Sequence, residues 1–173
     1  IGIDLQVGRT GVITPVAKIK EVDLSGVMIS SATLHNQDEI DRKDIRINDF
    51  VLIERSGDVI PKITQVLKNK RPKNTQKFII SDFKCLHPEC KIERVDGEAA
   101  YRCINPNCKS RVMGILEHFC SKNAMNIEGM GPQIVKQLFE ADLLKSFDDI
   151  YKIKYEDLIN LDRFKNKSAM NLI

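Results

Sequence analysis

The 173-residue sequence lacks any apolar run close to the roughly 18 residues that a membrane-spanning helix needs. Its first residues, 1–5, show neither the basic segment nor the apolar segment of a secretory signal. We therefore expect no membrane attachment and a cytoplasmic location.

The sequence also lacks the patterns that most often mark a catalytic site. Neither a glycine-rich phosphate loop nor a dinucleotide fingerprint occurs. The histidines His35, His87 and His118 have no evident serine or cysteine nucleophile as a partner. We therefore predict no catalytic residues within this stretch.

Strong charge of either sign is missing as well. The chain carries 27 basic and 24 acidic residues, a net charge of +3 that by itself does not indicate nucleic acid as a partner. With 42% apolar and 29% charged residues, the composition is that of a globular protein. Because the sequence starts without methionine and ends inside an apolar pattern, we expect it to be a piece of a longer protein.

Four cysteines organise the middle of the chain. They form two C-x4-C pairs, namely Cys85, Cys90, Cys103 and Cys108. Residues 91–102, with Gly97 near their centre, predict a β-hairpin that brings the sulfurs together. Four thiolates suit a tetrahedral zinc ion and leave no open position, so we predict a structural zinc site. Two disulfides or separate buried thiols are the alternatives, although disulfides require an oxidising compartment.

Residues 1–80 are predicted to form a β-rich domain. Apolar and polar side chains alternate in several short stretches, which glycine, asparagine and aspartate turns separate. A short helix is predicted over residues 36–43. Several strands and one helix in a domain of this length favour a small closed barrel of the five-stranded OB type.

Three loops of this β-rich part are candidates for contact with a nucleic acid. Arg9 stands between two glycines and either contacts a phosphate or a groove or is a surface arginine on a hairpin. Val59 and Ile60 follow a Ser-Gly-Asp turn and are either an apolar wedge for a minor groove or a strand start that fills the barrel end. Residues 68–77 carry five bases and no acid, which fits a phosphate-contacting linker and a solvated loop equally well.

From residue 110 onward the period becomes helical. An apolar stripe with i, i+3, i+4, i+7 spacing comprises Val112, Ile115, Leu116 and Phe119. Cys120 lies beside this stripe and is predicted to be a buried core thiol. Residues 127–131 bracket Gly129 and Gly131 with apolar residues, the pattern of a helix-hairpin-helix motif whose bare backbone N–H groups bind a phosphate. An ordinary tight turn between helices is the alternative.

A second copy of this pattern occurs over residues 161–169. Arg163 and Lys165 stand there where the bracket would place glycines. Either Lys165 or Asn166 is then expected to take the left-handed backbone conformation, which asparagine tolerates better than most residues. Phosphate binding at this copy is expected to use the side chains of Lys165 and Lys167 instead of backbone N–H groups.

Several of these motifs together resemble one protein family, the bacterial NAD-dependent DNA ligases. The resemblance rests on five segments in this order: V-G-R-T-G-V-I-T-P-V-A at 7–17, S-A-T-L-H-N at 31–36, R-S-G-D-V-I-P-K at 55–62, the cysteine quartet, and A-M-N-I-E-G-M-G at 124–131. It implies an OB-fold domain at 1–80, a four-cysteine zinc finger at 81–109 and an all-α helix-hairpin-helix domain at 110–173. The adenylated lysine of the family, with its NAD and Mg²⁺, is expected to lie outside this chain.

The resemblance also implies roles for individual residues. Arg9 matches the arginine that contacts DNA at the nick, and Val59 with Ile60 matches the pair pressed into the minor groove. The four cysteines match the zinc ligands, and Gly129 with Gly131 matches the first hairpin of the helical domain. The first cysteine loop departs from the family's usual C-x2-C, which makes His87 an alternative ligand.

We therefore predict a monomeric fragment of a ligase that encircles nicked duplex DNA and is inactive alone. The parent enzyme would seal nicks through enzyme–AMP and DNA-adenylate intermediates. The alternative is a non-catalytic DNA-binding module from a repair or recombination factor, since these small domains recur in both. A protein-interaction scaffold held by structural zinc is a further alternative, and it would bind duplex DNA no better than a neutral protein.

Overall fold

Alternating apolar side chains produce a β-sheet in the first part of the chain, and a helical period produces helices in the last part. The computed structural model describes residues 1–24, 26–54, 61–83, 90–162 and 164–173. The chain divides into two units, Ile1–Asn105 and Pro106–Ile173. No helix in these described ranges is long and apolar enough to cross a membrane.

The first unit is built on one mixed sheet. Its described elements are β1 (Gly2–Val7), β2 (Val12–Leu24), β3 (Val27–Thr33), α1 (Gln37–Lys43), β4 (Arg46–Ile47), β5 (Val51–Glu54), β6 (Lys62–Val66), β7 (Gln76–Lys77), β8 (Ile92–Arg94) and β9 (Tyr101–Cys103). The strand order is β5-β6-β3-β2-β9-β8, and β1 also pairs with β2. These pairings are antiparallel except that of β3 with β6, and β4 and β7 form a separate antiparallel pair.

The buried core of the first unit confirms the predicted alternation of apolar and polar side chains along the strands. Ile3 of β1 lies opposite Ala17 of β2, and both are buried in the same apolar core. The side chain of Asn36 accepts a hydrogen bond of 2.9 Å from the backbone N–H of Glu39 and so caps α1. Ile40 then anchors this helix in the core. The predicted short helix is therefore confirmed.

The hairpin predicted between the two cysteine pairs is present and extends the main sheet. β8 pairs with β9, and β9 pairs with β2 through Arg102 opposite Val12. Gly97 has a φ of 82°, the left-handed conformation that glycine adopts without a steric cost. The hairpin therefore belongs to the first unit, and the division into three domains at residues 80 and 109 stays a prediction.

The second unit is helical. Its described helices are α2 (Lys109–Cys120), α3 (Pro132–Glu140), α4 (Phe147–Ile150), α5 (Tyr155–Ile159) and α6 (Asn166–Leu172). Leu116, Leu138 and Leu158 are fully buried and join three of these helices in one core. Cys120 is buried in the same core, which raises the pKa of its thiol, so the predicted core thiol is confirmed.

Candidate metal centre and nucleic-acid interface

Three of the four predicted metal ligands converge. The sulfur atoms of Cys90, Cys103 and Cys108 lie within 4.8 Å of one another, and all three residues are buried. The backbone N–H of Cys103, at the end of β9, donates a hydrogen bond of 2.8 Å to the carbonyl of Gly11. Sulfurs around a tetrahedral zinc ion lie about 3.8 Å apart, so this donor set fits zinc. Three sulfurs at one point also argue against two separate disulfides.

The rest of the coordination shell is known in part. Cys85 and the alternative ligand His87 lie outside the described residues, so the fourth ligand stays a prediction. Asn105 was missed by the sequence analysis. Its side-chain amide donates to the sulfur of Cys90 at 3.6 Å. Such a donor partly neutralises a thiolate and orients it, as outer partners of metal ligands do.

Arg9 lies at the tip of the turn that joins β1 to β2. The backbone N–H of Gly8 donates to Val12 at 2.9 Å, and Gly11 closes the turn with a φ of 84°. Arg9 itself is exposed and forms no ion pair with the described residues. A hydrogen-bonded turn therefore presents the guanidinium group of Arg9 to the solvent. Val59 and Ile60, the predicted wedge, lie outside the described residues.

Hairpin one (residues 127–132) is a tight turn directly before α3. The backbone N–H of Met130 donates to the carbonyl of Ile127 at 3.2 Å. Gly129 has a φ of 84°, whereas Gly131 is extended, with a φ of −68° and a ψ of 166°. Gly129 therefore takes the left-handed conformation that glycine permits, whereas the backbone at Gly131 suits any residue.

Hairpin two (residues 161–166) has the same hydrogen-bonded frame before α6. Phe164 donates to the carbonyl of Leu161 at 3.3 Å, as Met130 does in hairpin one. Lys165 is extended, with a φ of −123°, and Asn166 is the first residue of α6. The expectation that Lys165 or Asn166 takes the left-handed conformation is therefore wrong. Neither position requires the left-handed conformation, because the extended Lys165 leads directly into α6 at Asn166.

The backbone hydrogen bonds at the start of α3 and of α6 show which residues of the two hairpins correspond. The N–H of Val135 donates to Gly131, and the N–H of Ala169 donates to Lys165, each at 3.0 Å. Lys165 is therefore the counterpart of Gly131. The counterpart of Gly129 is Arg163, which lies outside the described residues.

The hairpins differ in the backbone N–H group that precedes each helix. In hairpin two the N–H of Lys165 donates to the hydroxyl of Ser168 at 2.9 Å, and that hydroxyl donates to the carbonyl of Lys165 at 2.9 Å. In hairpin one the apolar Ile134 holds the position of Ser168. No acceptor in the described part of the chain takes the N–H of Gly131. Ser168 was missed, although its spacing of three residues from the cap is typical of a capping box.

The surroundings of the hairpins differ as well. Both line a cavity of about 450 Å³ within the second unit, to which Gly129, Phe164 and Leu172 contribute. A β-carbon on Gly129 would lie 3.2 Å from Cδ1 of Leu172, whereas a β-carbon on Gly131 would have nothing within 4 Å. Lys165 and Lys167 are exposed and form no ion pair with described residues. Hairpin one therefore offers a bare N–H group, and hairpin two offers ammonium groups.

Residues 1–75 match the family model of the NAD-dependent DNA ligase OB-fold domain. The chain is 44% identical to a DNA ligase of Bacillus cereus (strain AH187) over 99% of its own length and 26% of the relative. A DNA ligase of Bacillus mycoides (strain KBAB4) is 43% identical over the same shares. The chain thus spans about a quarter of the length of these relatives.

Proposed function

We propose that this chain is the DNA-binding portion of an NAD-dependent DNA ligase, since residues 1–75 match the OB-fold domain model of that family and 99% of the chain is similar to a DNA ligase. The parent would seal single-strand nicks through enzyme–AMP and DNA-adenylate intermediates, while this portion encircles the nicked duplex as a monomer. The observation that carries the proposal is the similarity to DNA ligases over 99% of the chain. NAD and Mg²⁺ would bind elsewhere in the parent, since these 173 residues contain no recognisable adenylation motif.

In this proposal the barrel loops hold the DNA near the nick. The exposed guanidinium of Arg9 would pair with a phosphate, for which its planar donor fork is suited. Val59 and Ile60 would press into the minor groove, where apolar side chains unstack a base step. An arginine contact and an apolar wedge differ in their salt dependence, because the arginine contact alone displaces a counterion.

The helical unit would contact the sugar-phosphate backbone of the DNA at a second position. Hairpin one would bind a phosphate oxygen through the N–H of Gly131 at the start of α3, where the helix dipole favours an anion. Hairpin two would use the ammonium groups of Lys165 and Lys167, because Ser168 already accepts the corresponding N–H. The proposed helix-hairpin-helix domain therefore has two unequal contacts.

Zinc would be held by Cys90, Cys103 and Cys108, with Cys85 as the fourth ligand. A structural zinc ion supplies folding free energy on the order of 10 kcal/mol to a module of this size. Cys103→Ser should therefore unfold the β8–β9 hairpin locally while the barrel stays folded, which amide hydrogen exchange would show. Metal analysis that finds no zinc in protein with reduced thiols would overturn this part.

The proposal as a whole is tested by binding and by labelling. Fluorescence anisotropy with nicked duplex DNA should show binding at low salt, and radiolabelled NAD should leave the chain unlabelled. Binding no tighter than that of a neutral protein would favour the interaction scaffold. An acid-labile AMP adduct on a lysine would show that the active site lies within this chain. AMP transfer from NAD by the full-length parent separates a ligase from a non-catalytic repair module.

A further inference from the structure

The basic segment (residues 68–77, K-N-K-R-P-K-N-T-Q-K) is anchored to the rest of the first unit at both ends. Just before it, the N–H of Leu67 donates to the carbonyl of Phe50 at 2.8 Å. At its far end, Gln76 and Lys77 form β7 and pair with β4. Loops held at both ends by backbone hydrogen bonds lose little conformational freedom when they bind a partner. The segment therefore differs from a freely solvated linker.

Arg71 anchors the middle of the segment. Its Nε donates to Oδ1 of Asp49 at 2.8 Å, and its Nη1 donates to Oδ2 of Asp44 at 2.6 Å. The Asp49 side chain is fully buried and that of Arg71 is 15% exposed. The hydrogen bond from Arg71 lowers the pKa of Asp44 to about 2. Arg71 is thus committed to internal acids and is poorly placed to contact an external anion.

Three other bases of the segment have no such partner. Lys70, Lys73 and Lys77 are exposed and form no ion pair with described residues, whereas Lys68 lies 3.8 Å from Asp44. Asp44 and Asp49 are already compensated by Arg71, and the segment itself contains no acid. The charge of these three lysines therefore faces solvent on an anchored backbone.

We propose that Lys70, Lys73 and Lys77 are a further set of phosphate contacts for duplex DNA, and that Arg71 is the positioning residue that holds them. This inference rests on the proposed function, because the partner is the same duplex. The chemistry is suited to it: each lysine that neutralises a phosphate releases a condensed counterion, so it contributes to the salt dependence of binding. A solvated loop would contribute nothing specific to that dependence.

The test measures log Kd against log salt concentration for nicked duplex DNA. Lys70→Gln/Lys73→Gln/Lys77→Gln should lower the magnitude of the slope by about 2 to 3, at about 0.9 for each lost contact. The matched control is Lys136→Gln/Lys145→Gln/Lys152→Gln, which removes the same charge from exposed lysines that each lie within 4 Å of an acid. The control should change the slope by less than about 1.

Two more variants test the positioning role. Lys70→Arg/Lys73→Arg/Lys77→Arg keeps the charges and should keep the wild-type slope. Arg71→Lys keeps the net charge but loses the two-pronged donor, so it should weaken binding and speed amide exchange over residues 68–77. If Arg71→Lys shows the amide exchange of the wild type over residues 68–77 and an unchanged duplex affinity, Arg71 does not position the lysines.

The outcomes separate the two proposals. Duplex binding by the wild type, with equal slopes for the wild type and the glutamine triple, overturns the inference and leaves the ligase proposal standing. An equal decrease in the slope magnitude of the control variant Lys136→Gln/Lys145→Gln/Lys152→Gln also overturns the inference, since net charge alone would then explain the effect. A wild-type chain that does not bind duplex DNA refutes the proposed function and the inference together.

Discussion

Hairpin one and hairpin two share one pattern of backbone hydrogen bonds but differ in the chemical groups around the helix cap. In each, an apolar residue donates to the carbonyl three residues before it, and the helix starts from an extended cap residue. The difference lies in the side chains around the cap: Gly131 with Ile134 in one, and Lys165 with Ser168 in the other. Ser168 occupies the N–H of Lys165, whereas the N–H of Gly131 has no described acceptor. The frame therefore follows from backbone hydrogen bonds, whereas the proposed anion binding depends on the capping side chains.

The largest expected effect comes from breaking the frame of hairpin one. Gly129→Ala places a β-carbon in the left-handed region, 3.2 Å from Leu172. The left-handed conformation costs roughly 1–2 kcal/mol for a residue with a β-carbon, so the free energy of unfolding should fall by at least about that amount. Urea denaturation followed by circular dichroism measures it. Gly131→Ala is the control and should be close to neutral, because the site is open and φ is −68°.

The next effect concerns the N–H of Gly131. Gly131→Val keeps an allowed backbone but places a branched side chain where the phosphate would approach. A hydrogen bond to a charged group is worth roughly 1.5–3 kcal/mol, so duplex affinity should fall about tenfold or more. Anisotropy at one fixed salt concentration measures this fall, and circular dichroism confirms that the helices remain. Unchanged affinity in a folded protein would show that hairpin one does not use this N–H group.

A smaller loss is expected from removing one charge in hairpin two. Lys165→Gly takes away an ammonium group, while Ser168 still accepts the backbone N–H at that position. Loss of one lysine contact should weaken binding about fivefold near physiological salt. The affinity of Lys165→Arg, which keeps the charge, should stay within about twofold of wild type. Tenfold weaker binding by the arginine variant would show that Lys165 acts through more than its charge.

The smallest effect tests the capping role of Ser168. Adding Ser168→Ala to the Lys165→Gly background frees the N–H of residue 165 and makes hairpin two resemble hairpin one. Duplex affinity should recover part of the loss, about two- to threefold, although the helix loses a capping bond worth about 1 kcal/mol. Affinity that falls further, with α6 still folded, would mean that Ser168 itself contacts the DNA.

Local sequence patterns predicted the elements that depend on near neighbours. Asn36 caps α1, Gly97 turns the cysteine hairpin, and Ser146 with Asp149 forms a capping box at the start of α4. Each of these devices acts over about three residues, so spacing alone reveals it. The four-cysteine spacing is of the same kind, and the structure brings the three described cysteines of the quartet together.

Two features were beyond such reasoning for physical reasons. Arg71 pairs with Asp44 and Asp49, 27 and 22 residues away, and nothing in the local pattern selects those partners. In hairpin one the sequence offers two glycines, and of these only Gly129 has a positive φ. The position of the turn relative to the start of the following helix decides which residue takes the left-handed conformation. Moving the helix start along the sequence would therefore change which residue needs to be glycine.

The salt dependence of duplex binding tests the difference between the hairpins most directly. It is measured for the wild type, for Gly131→Val and for Lys165→Gln/Lys167→Gln, with each protein shown to be folded. A neutral N–H group releases no counterion, so Gly131→Val should weaken binding by a similar factor at every salt concentration and keep the wild-type slope. The lysine pair should lower the magnitude of the slope by about 2. A reduced slope for Gly131→Val, or a wild-type slope for the lysine pair, would contradict the account.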